Sequence, residues 1–109
     1  MQPVKIELPA RMPGDLRDEF VAALERLGPV RDLSSESFNL DVAMLVLAGI
    51  SAAADLLAVA GLLMAWRDKA RRRGIPLDKV TIVAGERRVK LENLDAEALV
   101  RVLEGLRGA

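Results

Sequence analysis

The chain has 109 residues, 51% of them hydrophobic, which suits one core and a single domain over residues 1–109. Its 16 basic and 16 acidic residues cancel, which excludes a general electrostatic attraction to nucleic acid or to an anionic membrane. Cysteine and histidine are both absent, which excludes disulfide bridges and thiolate zinc sites and removes the commonest metal ligand and general base.

Residues 4–28 predict a strand followed by a helix. In the strand, apolar residues alternate with Lys5 and Glu7, as expected when one face is buried. Asp15 can cap the helix, and Gly28 with the following proline can end it. The apolar residues of one helical face are Leu16, Phe20, Leu24 and Leu27. We interpret residues 29–39, which are rich in serine and charge, as a linker.

Residues 40–73 predict one long, very apolar helix with a basic end. The run from Val42 to Ala65 contains only one ionisable residue, and Gly74 follows the basic cluster. A helix of about 34 residues would be roughly 50 Å long, more than a domain of this size can cover. We therefore expect a homo-oligomer that packs through this helix.

Small residues four positions apart would let neighbouring helices approach closely. The candidate helix-packing residues are Gly49, Ala53, Ala54, Ala58, Gly61 and Ala65.

Asp55 lies near the middle of the apolar run and has two interpretations. It can face solvent or pair with Lys69 or Arg67 of a neighbouring chain. Alternatively, aliphatic surroundings would raise the pKa of its carboxyl and make it a switch that acidification or membrane insertion neutralises. A resting single-pass protein is disfavoured, because one span would put the predicted strands on opposite sides of the bilayer.

The basic end of the helix also has two interpretations. It can be a solvated helix terminus, where cations are favoured, or a contact for anionic lipid head groups. Its cations are Arg67, Lys69, Arg71, Arg72 and Arg73. Nucleic acid is not an expected partner, since aromatic residues make up only 3% of the chain.

Residues 80–107 predict a β-hairpin and a last helix. Gly85 and Glu86 separate two alternating runs, and Asp95 can cap the helix. The predicted fold is therefore α+β, in the order β-α-α-β-β-α, with a small three-stranded sheet and the long apolar helix at its centre. The charged N-terminus does not form the apolar core of a secretory signal, so we expect a cytoplasmic protein, with membrane association on activation as the open alternative.

The sequence has no catalytic, cofactor-binding or metal-binding pattern. No histidine can activate its serines, and neither a nucleophile elbow nor a glycine-rich phosphate loop occurs. We expect a protein that is not an enzyme and uses no cofactor.

Three segments resemble the effector-associated constant component family of bacterial conflict systems. They are VKIELP at 4–9, LDVAMLVLAGISAAADLLAVAGLLMAWRDKARRR at 40–73 and VTIVAGERRVKLENLDAEALVRVLEGL at 80–106. The resemblance implies a non-enzymatic component of bacterial immunity, antiphage defence or cell death. It also implies an effector partner, such as a trypsin-like or caspase-like protease.

Two functional hypotheses follow. In the first, the chain is an adaptor that binds an effector and self-associates through its apolar helix. In the second, a protease releases that helix, which then permeabilises a membrane. Arg73, Arg87 and Arg88 are the candidate sites for a trypsin-like protease, and the aspartates would suit a caspase-like one.

Overall fold

The computed structural model describes residues 3–33 and 42–107, in which five strands form one antiparallel sheet beside three α-helices. The strands are β1 (Val4–Pro9), β2 (Val30–Asp32), β3 (Val42–Leu47), β4 (Thr81–Ala84) and β5 (Arg87–Lys90). The helices are α1 (Gly14–Glu25), α2 (Leu56–Arg72) and α3 (Ala96–Arg107). Short 3₁₀ turns at Leu77–Lys79 and Leu91–Asn93 precede β4 and α3.

The sheet has the strand order β2-β3-β1-β4-β5, so that β1 lies at its centre. All six residues of β1 pair with β3, and three of them pair with β4 on the other side. In the described ranges the helices pack on one face of this sheet, with α2 between α1 and α3. The opposite face of the sheet carries no helix there.

The core lies between the helices and the inner face of the sheet. Val4, Ile6 and Leu8 of β1 are buried in it, as the alternation in this strand predicts. The ring of Trp66 on α2 lies 4.5 Å from that of Phe20 on α1, and its indole N–H donates to the carbonyl oxygen of Leu16 at 2.8 Å. Packing and one buried hydrogen bond therefore hold the two helices together.

The predicted helix over residues 40–73 and the predicted three-stranded sheet are wrong. Residues 42–47 form β3, residues 48–55 form a loop, and α2 has only 17 residues. In β3, residues on the inner face are buried and those on the outer face are half-buried. Because both sets are apolar, the strand reads as a continuous run, which periodicity cannot distinguish from a buried helix.

The size of the molecule agrees with the shorter helix. The extents are 32 × 29 × 23 Å, whereas the predicted helix would have been roughly 50 Å long. In the described part of the chain, each helix is too short or too polar to traverse a bilayer.

The predicted elements at the two ends of the chain are confirmed. The strand over residues 4–8 is present as β1, and the hairpin is present as β4 and β5. Gly85 has a φ of 60°, which the first loop position of a type II′ turn requires. The side chain of Asp95 accepts a hydrogen bond from the backbone N–H of Ala98, as expected of a helix cap.

The predicted linker at 29–39 contains a further element. Its residues Val30–Asp32 form β2, at one edge of the sheet. The part of the linker over 34–39 and the predicted helix start at Leu40 lie outside the described residues.

The predicted first helix is confirmed, but its cap is not Asp15. Pro13 occupies the cap position and makes no side-chain hydrogen bond. Asp15 instead accepts a hydrogen bond from Arg73 at 2.6 Å, which lowers the pKa of its carboxyl. This pair joins the start of α1 to the end of α2.

Candidate interaction surface on helix α2

The first three turns of α2 present uncharged side chains to solvent. Leu57 is 69% exposed and Leu62 is 41% exposed, and these are the large exposed hydrophobic residues of the described chain. Together with Ala58, Gly61 and Ala65 they form what we call the α2 outer surface. The solvent side of a helix in a globular protein normally carries charged and polar residues. This surface therefore has the composition of a contact with another molecule.

Gly61 is central to the α2 outer surface and packs against no other part of the described chain. A Cβ at this position would meet no atom within 4 Å. Glycine in the interior of a helix costs about 0.5–1 kcal/mol relative to alanine. A bare backbone at this point would allow a second helix to approach closely.

Asp55 is the N-cap of α2. Its carboxylate accepts a hydrogen bond from the backbone N–H of Ala58 at 3.1 Å, and the residue is exposed. The switch hypothesis requires a carboxylate enclosed by aliphatic side chains, and Asp55 does not have such surroundings here. Its place in the apolar run marks the start of a helix.

Most cations at the other end of α2 contact residues of the same chain. Arg67 donates to the carbonyl oxygens of Leu91 and Leu94. Lys69 lies 3.2 Å from a carboxylate oxygen of Glu19, Arg71 lies 3.8 Å from one of Asp68, and Arg73 lies 2.6 Å from one of Asp15. Arg72 is exposed and has no such partner within the described ranges. The proposed head-group cluster is thus largely occupied by internal contacts.

A groove of about 330 Å³ separates α2 from α1 next to this surface. Its apolar lining includes Ala22 and Ala23 of α1 and Leu62, Ala65 and Trp66 of α2. Its charged lining consists of Glu19, Arg26, Lys69 and Arg72. A protruding aliphatic side chain from another molecule could enter this groove.

One line of residues along α2 begins with an acid and ends with bases. Its members recur three and four positions apart, which places them on one side of the helix: Asp55, Ala58, Leu62, Ala65, Lys69 and Arg72. We call this line the α2 seam. Its middle is uncharged, and its two ends have opposite sign.

The candidate packing residues are divided by the structure. Gly49, Ala53 and Ala54 lie in the loop before α2, whereas Ala58, Gly61 and Ala65 lie on the helix. Gly49 packs within the chain, since a Cβ on Gly28 would overlap its carbonyl oxygen.

The candidate cleavage sites are exposed and lie apart. Arg73 directly follows α2 as its C-cap, while Arg87 and Arg88 lie in the edge strand β5. Leu57 and Leu62 do not stand out in the sequence, because a helix over residues 40–73 would be apolar on every side. The signal that could have found them is Asp55, since a cap sets where a helix begins and which residues share a face.

The described residues contain no group of three acidic, histidine or cysteine side chains placed to hold a metal ion. Comparisons with protein-family models, curated proteins and solved structures found no match to this chain.

Proposed function

We propose that this chain is a non-enzymatic adaptor of a bacterial conflict system, which self-associates through α2 and holds an effector. The observation that carries the proposal is the α2 outer surface, where Leu57 and Leu62 are exposed around an unpacked Gly61. The occupant we propose for this surface is a second copy of the chain.

Charge complementarity along the α2 seam supports a second copy in antiparallel orientation. Pairing Leu62 of one copy with Ala65 of the other places Ala58 opposite Lys69 and Asp55 opposite Arg72. The uncharged residues then meet at the centre, and opposite charges meet at both ends. A parallel pair would instead bring the arginines together, and like charges repel.

The dimensions of the seam predict a weak dimer. A helix of 17 residues is about 26 Å long and about 10 Å wide, so it offers a few hundred Å² per copy. Stable interfaces bury roughly 800 Å² per partner. We expect a dissociation constant in the range of tens to hundreds of micromolar, which an effector that brings copies together would overcome.

The resemblance to effector-associated constant components supports an effector as the other partner, and a protease is our expectation for it. The membrane-permeabilising alternative depended on one helix over residues 40–73. Residues 42–73 form instead a strand, a loop and a shorter helix, which removes the basis of that alternative.

Sedimentation analysis from about 5 to about 500 μM tests the self-association. We expect a reversible dimer for the natural chain and a monomer for Leu62→Lys, which places two cations at the centre of the pair. Because Leu62 is partly exposed, the stability of the variant monomer should change little. Glu104→Gln on α3 is the control, since it adds the same charge at an exposed position away from the seam.

The effector is tested by co-purification with the protein that the adjacent gene encodes. A monomer at every concentration, or a dimer that Leu62→Lys leaves intact, would contradict the proposed self-association. Failure to co-purify an effector with either the natural chain or Leu62→Lys would contradict the adaptor function.

A further inference from the structure

Within residues 3–33 and 42–107, the face of the sheet opposite the helices carries no helix and is exposed in part, although Thr81 on it is buried. Side chains alternate between the two faces of a strand, so Lys5 and Glu7 of β1 lie opposite the buried Val4 and Ile6. The strand register assigns the other members of this outer sheet face: Arg31, Val42, Met44, Val46, Thr81, Val83, Arg88 and Lys90.

One row across the outer sheet face alternates strictly between cations and valines. Val46 pairs with Arg31 on one side and with Lys5 on the other. Lys5 also pairs with Val83, which in turn pairs with Arg88. Read across the five strands, the order is Arg31, Val46, Lys5, Val83 and Arg88, which we call the cation row.

Positive charge predominates on the outer sheet face. Its described residues include four cations and one carboxylate, that of Glu7. Glu7 lies 2.6 Å from Arg88 and is largely covered, with 16% of its side chain exposed. Among the described residues, Lys5 and Arg31 have no ion pair. The valines between these cations are half-buried, so their exposed parts form apolar gaps in the row.

The spacing of the cation row matches the repeat of an α-helix. Neighbouring strands are about 4.8 Å apart, so successive cations lie about 10 Å apart with a valine midway. Seven residues of a helix rise about 10.5 Å, and the residue three or four positions on lies midway on the same side. A helix across the strands could therefore place acids over cations and aliphatic side chains over valines.

We propose that the outer sheet face binds an acidic amphipathic helix of a partner protein, with carboxylates seven residues apart and aliphatic side chains between them. Three such carboxylates span about 15 residues, which covers the width of the five-stranded sheet. The surface lies on the side of the molecule away from α2, so a dimer formed through the seam leaves it free. The proposal does not depend on self-association.

A synthetic helical peptide of about 16 residues, with glutamates at positions 1, 8 and 15 and leucines midway between them, tests the pattern. The matched control peptide has the same composition with the glutamates moved to the opposite side of the helix. Calorimetric titration into the full chain should show the patterned peptide binding at least about tenfold more tightly than the control. Equal affinities would overturn the proposed spacing.

Variants of the chain test the surface. Lys5→Gln with Arg31→Gln should weaken binding of the patterned peptide by about fivefold or more, since each exposed ion pair contributes a few-fold. Arg11→Gln with Lys79→Gln is the control, because it removes two exposed cations that do not belong to the outer sheet face. An equal loss in both variants, with each still folded by circular dichroism, would overturn the proposal.

Two other anionic ligands are tested as alternatives to the acidic helix. A single-stranded RNA of about 12 nucleotides and vesicles with about 20% phosphatidylserine are titrated under the same conditions. Tighter binding of either than of the patterned peptide, lost in Lys5→Gln with Arg31→Gln, would replace the acidic helix with that ligand. Binding of the patterned peptide alone supports the proposal.

Discussion

The α2 outer surface and the outer sheet face lie on opposite sides of the molecule and differ in how charge is arranged. On α2, Asp55 and Arg72 stand at the two ends of an uncharged stretch. On the sheet, Lys5, Arg31 and Arg88 lie in one row with only valines between them. A surface with opposite charges at its ends can pair with a copy of itself, whereas a surface on which one sign predominates repels a copy. The first therefore suits a second identical chain, and the second suits a different, acidic partner.

The largest effect should come from Val46→Glu, which puts a carboxylate inside the cation row. The new side chain would lie between Arg31 and Lys5, and these cross-strand pairs would offset much of the lost valine packing. We expect the affinity for the patterned peptide to fall at least about tenfold, because the row would already be neutralised. Self-association should stay unchanged in sedimentation.

Val46→Gln is the control for this prediction, since it has the shape of the glutamate without its charge. If Gln weakens binding as much as Glu, the valine packing rather than the charge of the row decides affinity. If Val46→Glu also abolishes the dimer, the two surfaces are not independent.

At Asp55, substitutions can separate the effect of helix capping from the effect of the negative charge. Asp55→Ala should lower the free energy of unfolding by about 1 kcal/mol, whereas Asp55→Asn should cost only a few tenths, because asparagine caps helices as well as aspartate does. Both variants remove the charge opposite Arg72 of the second copy, so both should weaken self-association to the same small extent. Urea unfolding and sedimentation give the two readings.

A stability loss in Asp55→Asn equal to that in Asp55→Ala would mean that the carboxylate does more in the monomer than cap α2. Unchanged self-association in both variants would remove the ion pair from the proposed seam.

Gly61→Ala should act in opposite directions on the monomer and on the dimer. The added methyl group meets no atom among residues 3–33 and 42–107, so alanine should raise the free energy of unfolding by about 0.5–1 kcal/mol. The same methyl group should weaken self-association, which needs a close approach at this point. Thermal unfolding of dilute protein and sedimentation of concentrated protein check both effects.

Gly105→Ala on α3 is the matched control, because a Cβ there also meets no atom within 4 Å. It should stabilise the monomer in the same way and leave the dimer unchanged. If both variants leave self-association intact, Gly61 does not lie in the contact.

The smallest effect should come from Asp15→Asn, which removes a pair that lies on neither surface. Arg73 lowers the pKa of the Asp15 carboxyl below its ordinary value of 3.8. A lowered pKa in the folded state stabilises the fold above about pH 5, and the stabilisation is lost as the pH falls through the folded pKa. The variant should therefore be slightly less stable than the natural chain at pH 7, and the difference should narrow toward pH 2.

Urea unfolding at the two pH values checks this prediction. A difference that persists at low pH would mean that Asp15 acts through contacts other than its charge. Changed dimerisation or peptide binding would mean that this pair positions one of the two surfaces.

Strands and helices whose two faces differ in polarity were predictable from the sequence alone. In β1, charged residues alternate with buried ones, and in the hairpin Gly85 marks the turn. Asp95 was predictable as the cap of α3 because it stands before an amphipathic run. In each case a local pattern has only one physical interpretation.

The centre of the chain was not predictable in the same way. The stretch over residues 42–65 is an almost continuous apolar run. A buried strand and a buried helix can both have such a run, so its periodicity does not distinguish them. Within it, Asp55 is the cap of α2, whereas the sequence predicts that it lies near the middle of a longer helix. Leu57 and Leu62 could be recognised as exposed only once the beginning of α2 was known.

The sequence by itself determined the composition of this protein, its lack of histidine and cysteine, and the elements at its two ends. Tertiary structure decided that residues 42–47 form a strand that pairs with β1. Because this segment is apolar on both sides, its neighbours in the fold, and not its own pattern, determine that it is a strand. It also decided the cation row, since Arg31, Lys5 and Arg88 are far apart in the chain and only strand register aligns them. The sequence shows which residues are adjacent along the chain, whereas a surface is formed by residues that the fold brings together from distant parts of it.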